Sequence, residues 1–280
     1  MSGDGPRDWE AEAYHRVAQP HGDWAAQVLD RLELRGDETA LDAGCGTGKL
    51  TAQLVARLPQ GRVIGVDGSP SMIEQASKLL PETVELHVQD LTSLALVDPV
   101  DVVASSATFH WIADHDLLFA RLAAVLRPGG RLEAQCGGAG NVADVAAAIA
   151  EVQGREPWAH ALAGWDGPWN FAGPEETERR LGEAGFVDVR CWLEERCVTP
   201  DDAHAFLRTV VLGAYLDRLP EEAHDGFVEA VREAMLRASA DPAAPLEIGY
   251  VRLNLSARRA GGEPRPGETV GQLASRLRRG

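Results

Sequence analysis

The stretch Asp42-Ala43-Gly44-Cys45-Gly46-Thr47-Gly48 constrains the fold more than any other part of the 280-residue chain. Three glycines at alternate positions follow an acidic residue and a short apolar run, Thr39-Ala40-Leu41. Glycine adopts backbone conformations closed to residues with a Cβ and leaves the main chain bare for a ligand to approach. A loop of this kind, leaving a strand and entering a helix, is where an α/β sheet binds a nucleotide-like ligand. The spacing departs from the dinucleotide pattern Gly-x-Gly-x-x-Gly, because the third glycine arrives one place early and Lys49 stands where that pattern needs glycine. The phosphate-binding sequence Gly-x-x-x-x-Gly-Lys-Ser/Thr is absent as well. An acid two places before the first glycine suits a cationic ligand and would repel a pyrophosphate.

The pattern around the loop places it at one edge of a parallel sheet. Strand-like apolar runs cover residues 39–41, 62–66, 84–88, 101–105 and 131–135, with helical periodicity between them near 50–58, 71–79 and 116–126. Short continuous apolar strands separated by helices indicate a sheet covered on both faces. Ser69-Pro70-Ser71-Met72 offers a cap and an early proline for one helix. Arg127-Pro128-Gly129-Gly130 ends another and leads into the next strand. Residues 9–35 read as helical ahead of the sheet. After it, residues 154–174 form an aromatic-rich irregular stretch with Trp158, Trp165, Trp169 and Phe171. A helix opening at Pro174 ends near Gly185, and 187–193 reads as a strand. Two helical stretches, about 200–219 and 220–239, precede 250–258, whose strict alternation predicts a partly exposed edge or hairpin-like strand.

Composition narrows the function classes. A net charge of −16 argues against general nucleic-acid binding. No run of about 18 apolar residues is present, so no membrane span is expected, and the N-terminus shows no secretory pattern. Cys45, Cys136, Cys191 and Cys197 are far apart and form no Cys-x-x-Cys pair. They read as free thiols in a reducing, cytoplasmic setting and not as a disulfide frame or metal site. The arginine-rich end, with Arg258, Arg259, Arg265, Arg276, Arg278 and Arg279, is either a solvated tail or a basic arm.

Four motifs in order carry a resemblance. Asp42–Gly48 resembles motif I of the class I S-adenosylmethionine-dependent methyltransferases. Val63-Ile64-Gly65-Val66-Asp67 resembles the second-strand motif, Gln89-Asp90-Leu91 the third-strand motif, and Leu126-Arg127-Pro128-Gly129-Gly130 the turn before the fifth strand. Phe109-His110-Trp111, Tyr14-His15-Arg16 and 251–259 resemble the trans-aconitate methyltransferase branch. The resemblance implies a doubly wound, seven-stranded, mostly parallel Rossmann-like sheet in which 187–193 and 250–258 form the final pair. It implies four regions: an N-terminal helical segment closing over the site (1–36), the methyltransferase core (37–199 and 246–260), a helical cap insertion (200–245) and a basic tail (261–280). S-adenosylmethionine is the implied cofactor. Its implied binding set is Asp42, Gly44, Cys45, Gly46, Gly48, Asp67, Gly68, Met72, Gln89, Asp90, Leu91 and Tyr14, with Asp67 on the ribose hydroxyls and Asp90 on the adenine amino group.

The residues themselves leave structural alternatives beside these roles. Asp42 favours the positive end of the cofactor or satisfies buried loop amides; Asp67 holds the ribose or caps a helix; Asp90 binds adenine or sits in an exposed turn. Met72 or Ser71 flanks the adenine, or Met72 is a core residue. Cys45 has no partnered base and reads as a space-filler. Methyl transfer from a sulfonium needs chiefly proximity and alignment, worth up to roughly 7–11 kcal/mol. A carboxylate acceptor needs no base, whereas a hydroxyl or amine acceptor profits from one. His110, after the fourth strand, is the first candidate and His15 the second; His110 packing within its turn is the alternative, and His87 reads as structural. Trp111, Trp165 and Trp169, with Tyr14, are candidate walls of the acceptor site, and Arg208 and Arg252 its candidate cations, each otherwise a surface residue. The expected activity is methylation of a small molecule, with a carboxylic acid as the acceptor that the branch implies. The alternatives are an O-, N- or C-methyltransferase of natural products, or a cofactor-binding partner protein without catalysis. No metal is expected, and the sequence leaves the oligomeric state open.

Overall fold

The computed structural model describes residues 7–9, 21–239, 241 and 245–261. Tyr14, His15 and the basic tail beyond residue 261 lie outside these residues. Helix α1 (His21–Arg31) precedes an alternation of strands and helices: β1 (Thr39–Ala43), α2 (Lys49–Arg57), β2 (Arg62–Asp67), α3 (Pro70–Leu79), β3 (Glu85–Val88), β4 (Val100–Ser106), α4 (His115–Val125) and β5 (Leu126–Gly137). Then come α5 (Ala143–Gln153), α6 (Pro174–Glu183), β6 (Phe186–Val198), α7 (His224–Ala238) and β7 (Ile248–Arg259).

The seven strands form one sheet in the order β3-β2-β1-β4-β5-β7-β6. The first five are mutually parallel, and β7 runs antiparallel between β5 and β6. After β1 the chain winds outward through β2 and β3, then returns to lay β4 on the other side of β1. The connections leaving β1 and β4 therefore part above their carboxyl ends, the place where open α/β sheets hold ligands. Alternate residues divide the core between the faces. Ala40 and Val102 pack with Val28 of α1, Leu32 just past its end, and Leu50 and Leu54 of α2. Leu41 and Val103 face the opposite layer, with Leu118, Leu122 and Leu181. Buried Glu38 accepts from the Arg35 and Gly36 amides and pairs with Arg131 at 2.9 Å, tying the α1–β1 turn to β5.

Three sequence expectations need correction, and one helix lies where the sequence predicts no element. The run 250–258 is not an edge: β7 is hydrogen-bonded on both sides, and β6 is the outer strand. Its polar positions alternate because they enter a buried polar seam, in which Arg252 and Asn254 are almost wholly covered. The Arg127–Gly130 turn does not precede β5. Leu126 already pairs with Val100 and the next pair is Val102 with Arg131, so the intervening residues loop out of the ladder, with Gly129 at φ +78°. The helix expected over 200–219 is broken into Ala203–Phe206, a π-helical turn Leu207–Val211, and Gly213–Leu216. The adjacent β-branched Val210 and Val211, followed by Gly213, weaken regular helix there, and the wide turn lets Leu207, Val210, Val211 and Leu212 all be buried. Helix α5 packs with α7 and these broken turns around Ile149, Phe206, Tyr215 and Phe227. Residues between β6 and β7 thus share a second core with α5 and with Trp24 of α1.

Candidate functional site

The loop leaving β1 is held by its neighbour strand. The amides of Gly44 and Cys45 both donate to the Val66 carbonyl, at 2.8 and 3.0 Å. Gly44, Gly46 and Gly48 have φ of +83°, +53° and +87°, so each takes the left-handed conformation that the alternate spacing anticipated. Their roles differ. A Cβ at Gly44 would lie 2.2 Å from the Thr108 side chain, and one at Gly48 would lie 2.7 Å from Leu80. These two glycines serve packing. A Cβ at Gly46 would meet no protein atom within 4 Å, although Gly46 lines the cleft above the sheet.

That cleft has a volume of about 1130 Å³. Asp42, Gly44, Cys45, Gly46, Asp67, Gly68, Met72, Asp90 and Leu91 line one part of it, and Trp111, Trp165, Ala214, Asp217 and Arg218 another. Asp42 is fully buried; its Oδ2 accepts from the Thr51 hydroxyl at 2.6 Å, and its Oδ1 makes no hydrogen bond. Burial pushes its carboxyl up to about 7, and the charge of Asp67 adds to the rise. Asp67 accepts from the Gly46 amide through Oδ2 and the Ser69 amide through Oδ1, both at 2.9 Å. Burial raises its carboxyl above the ordinary range despite these donors. Ser69 is the cap of α3, accepting from the Met72 amide at 3.3 Å, and Pro70 follows it, as the sequence indicated. Asp90 caps a short turn, its Oδ1 accepting from Thr92 N at 2.7 Å and Thr92 Oγ1 at 2.8 Å. Asp90 and Met72 each combine the two readings: Asp90 is at once a turn cap and a cleft residue, and Met72 is buried while it lines the cleft.

The other candidates lie differently. Gln89 does not line the cleft; its Nε2 donates to the Ser93 carbonyl at 3.4 Å. His110 is buried, and its Nδ1 accepts from the Gly137 amide at 3.2 Å. It faces a separate chamber of about 40 Å³, shared with Trp169, Phe171 and Arg252, and stacks on Phe171 with ring centroids 5.8 Å apart. No histidine lines the larger cleft among the described residues. Arg252 is not on the surface: its guanidinium donates to Gln135 Oε1 at 2.6 and 3.1 Å and lies 4.5 Å from the Trp24 ring. Arg208 lines neither cavity; its Nη1 pairs with Asp225 at 2.6 Å on the outside of the cap. Burial raises the Cys45 thiol well above its usual value, with Asp42 and Asp67 adding to the rise, which fits its reading as a space-filler. His87 sits exposed on the edge strand β3.

Two groups escaped the sequence reading. Arg218 lines the cleft from the cap, its guanidinium 4.2 Å from the Trp165 ring and in no ion pair among the described residues. Arg7, Asp8 and Trp9 cross the cleft as a strap. Arg7 pairs with Asp217 of the cap at 2.5 Å, and Asp8 accepts from Ser69 Oγ at 2.5 Å and Ser71 N at 3.1 Å. No motif marks either group; only the chain's path brings them to the cleft.

Fold and cleft together define an open α/β protein with its ligand cleft at the carboxyl ends of its first two strands. A methyltransferase-domain family model matches residues 40–130. A trans-aconitate 2-methyltransferase of an Azoarcus strain is 32% identical over 247 residues, covering 84% of this chain and 91% of that protein. One from Methylobacterium nodulans is 32% identical over 236 residues, covering 84% and 82%. Among solved structures, the YcgJ protein of Bacillus subtilis superposes with a TM-score of 0.61 at 18% identity, covering 86% of this chain and all of that one. Phosphoethanolamine N-methyltransferase 2 of Haemonchus contortus, in complex with S-adenosylhomocysteine and phosphomonomethylethanolamine, gives 0.55 at 20% identity, covering 90% and 57%. At those identities the structures speak for the fold. The chain belongs to the class I S-adenosylmethionine-dependent methyltransferases, in the trans-aconitate methyltransferase branch. It is an enzyme, and S-adenosylmethionine is its cofactor.

The residues present fit that cofactor. The buried, unbonded Oδ1 of Asp42 marks a place for a positively charged group or donor, and the open space at Gly46 is a cradle that a side chain would fill. The amino terminus of α2 favours a carboxylate through its helix dipole, while the amides of Gly44, Cys45, Gly46 and Gly48 are engaged within the protein and shape the loop. Asp67 retains acceptor capacity beyond its two amide bonds, because each carboxylate oxygen carries two acceptor sites.

Proposed function

We propose that the protein methylates a carboxylate oxygen of a small carboxylic acid. S-adenosylmethionine, when bound, supplies an electrophilic methyl group on a sulfonium whose departure leaves a neutral thioether. Everything else falls to the chain: to hold the donor, to orient the acceptor in line and to exclude water. The observation that carries the reading is Arg218, a cation in the wall of the cleft with no acidic partner among the described residues and an indole face beneath it. A guanidinium presents paired N–H donors that match a carboxylate in geometry and charge. In an acidic protein such a cation favours an anionic acceptor over neutral ones.

A carboxylic acid is ionised at neutral pH and is its own nucleophile, so a site without a base suffices. The Nδ1 of His110 is already engaged by the Gly137 amide, and its ring supports the chamber wall, so a positioning role suits it better than proton abstraction. The acceptors named for the relatives from Azoarcus and Methylobacterium are consistent with an acid.

The test is a screen of carboxylic acids, phenols and amines with labelled methyl donor, followed by Arg218→Met. Acids are the expected acceptors. The variant raises KM for the acid by roughly 10- to 100-fold, the equivalent of losing charge-assisted hydrogen bonds, and leaves S-adenosylhomocysteine binding intact. Methyl transfer to phenols or amines alone, or an unchanged KM in Arg218→Met, overturns the reading.

A further inference from the structure

The larger cleft and the inner chamber share three wall residues, Trp9, Ala107 and Trp111. Trp9 is the one of these that lies on the strap and not on a sheet connection. Its ring meets Trp111 edge to face, with centroids 4.9 Å apart and planes at 81°. Its backbone is fixed on one side of the cleft: Trp9 N donates to Ser69 Oγ at 3.2 Å, and Ser71 Oγ donates to the Trp9 carbonyl. From the other side, the Arg7 guanidinium covers the Trp9 ring at 4.4 Å while it pairs with Asp217 of the cap. An indole held at both ends in this way is a fixed wall.

We propose that Trp9 is a specificity-determining residue of the acceptor site, setting how long an acceptor the enzyme takes by closing the cleft off from the inner chamber. The assignment rests on the methyltransferase activity and deepens the reading of the acceptor given above. Behind Trp9 the chamber holds about 40 Å³, room for a group the size of a water molecule. Its wall includes the buried Arg252 guanidinium. With the indole in place, an acceptor chain must end at the Trp9–Trp111 pair. With the indole removed, cleft and chamber become continuous, and a longer chain reaches a cationic wall. Selectivity by truncation of a pocket is steep, because one methylene accommodated or refused changes kcat/KM by about tenfold or more.

The experiment compares wild type, Trp9→Ala and Trp9→Phe on a homologous series of acceptors of increasing length, with S-adenosylhomocysteine affinity measured in parallel. For wild type, kcat/KM falls sharply beyond a limiting length. Trp9→Ala shifts the ratio of long to short acceptors upward by about tenfold or more, while its affinity for S-adenosylhomocysteine stays that of wild type. Trp9→Phe restores most of the original limit. In the Trp9→Ala background, Arg252→Gln removes the added gain for long acceptors that end in an anionic group. An unchanged length profile in Trp9→Ala overturns the proposal, and so does a uniform loss across all acceptors together with weakened S-adenosylhomocysteine binding, which marks a merely structural strap. The series is run in whichever acceptor class wild type methylates. Failure of carboxylic acids therefore refutes the acceptor reading and leaves the test of Trp9 in force.

Discussion

Asp42 makes cofactor affinity depend on pH in a way that a surface carboxylate would not. Its side chain is fully buried, Thr51 satisfies one oxygen, and the other has no partner. Burial holds its carboxyl at about 7 in the free protein, against an unfolded value near 3.8. The sign follows. Between about pH 4 and 7 the folded chain binds the proton that the unfolded chain has lost, so the free enzyme loses stability as pH rises through this window. In full the loss is about 4 kcal/mol, three pK units at 1.36 kcal/mol each. A cofactor that brings positive charge beside Asp42 favours the ionised form, so it must displace the proton at low pH. If only the ionised form binds well, the dissociation constant scales as 1 + 10^(7 − pH). It rises from about 1.1 times its limiting value at pH 8 to about 11 times at pH 6, a tenfold weakening. Titration calorimetry with S-adenosylmethionine across that range measures the constant and, through buffer dependence, the released proton. Asp42→Asn keeps an oxygen for Thr51 but has nothing to titrate, so it binds more weakly at pH 8 and shows no step. Equal affinity of wild type at pH 6 and pH 8, or a step that persists in Asp42→Asn, refutes the reasoning.

Two further perturbations separate ligand contacts from packing in the same loop. Asp67→Ala removes the carboxylate that we propose for the two ribose hydroxyls and strips the Gly46 and Ser69 amides of their partner. Its S-adenosylhomocysteine affinity falls by about 2–4 kcal/mol, roughly 30- to 1000-fold, by calorimetry, and nicotinamide dinucleotides bind neither protein. Gly46→Ala and Gly48→Ala are a matched pair at φ +53° and +87°. The first keeps most of its thermal stability and loses cofactor binding, because its methyl group points into the cleft. The second meets Leu80 and lowers the melting temperature by several degrees, as about 1–3 kcal/mol of overpacking does. Similar behaviour of the two variants contradicts the division of roles.

The sheet and the donor end of the cleft were legible in the sequence for a simple reason: both are local. β1, β2 and β4 are short apolar runs, and parallel pairing puts their ends at one edge, so Asp42, Gly46 and Asp67 meet without any long-range decision. The acceptor end depends on such decisions. Arg208 and Arg218 stand ten residues apart in the same stretch between β6 and β7, and nothing in their neighbours distinguishes them. The π-helical turn at Leu207–Val211 rotates all that follows by the equivalent of an extra residue, about 100°. The break at Leu212 then leaves Arg218 on the cleft and Arg208 beside Asp225 on the outside. Arg252 was misplaced because strict alternation reads as one exposed face; its polar face is instead covered by Trp24 of α1. Helix α5 was overlooked because Ala146, Ala147 and Ala148 dilute the polar contrast by which amphipathic helices are recognised.

What the structure adds is a separation of charge that explains why a strongly acidic chain would take an anionic acceptor. Asp42 and Asp67 stand at the ends of adjacent strands, and the charge of Asp67 helps to hold the Asp42 carboxyl up. Two buried acids so close are costly when both are ionised, and a cationic donor relieves that cost while a neutral or anionic one does not. The same field would repel an acceptor carboxylate, whose approach needs a compensating cation on the far wall. Arg218 supplies it in the exposed mouth of the cleft, where screening by solvent keeps its pull local. Asp217, the acid next to it, is neutralised through its pair with Arg7. The strap therefore has an electrostatic consequence as well as a steric one. Opening Arg7 from Asp217 would place a bare carboxylate beside Arg218 and weaken its hold on the acceptor. Arg7→Ala accordingly raises the acceptor KM in the same direction as Arg218→Met, by roughly threefold to tenfold for one partly screened charge. Asp217→Asn in the Arg7→Ala background restores it. A double variant no better than Arg7→Ala would show that the strap acts by shape alone.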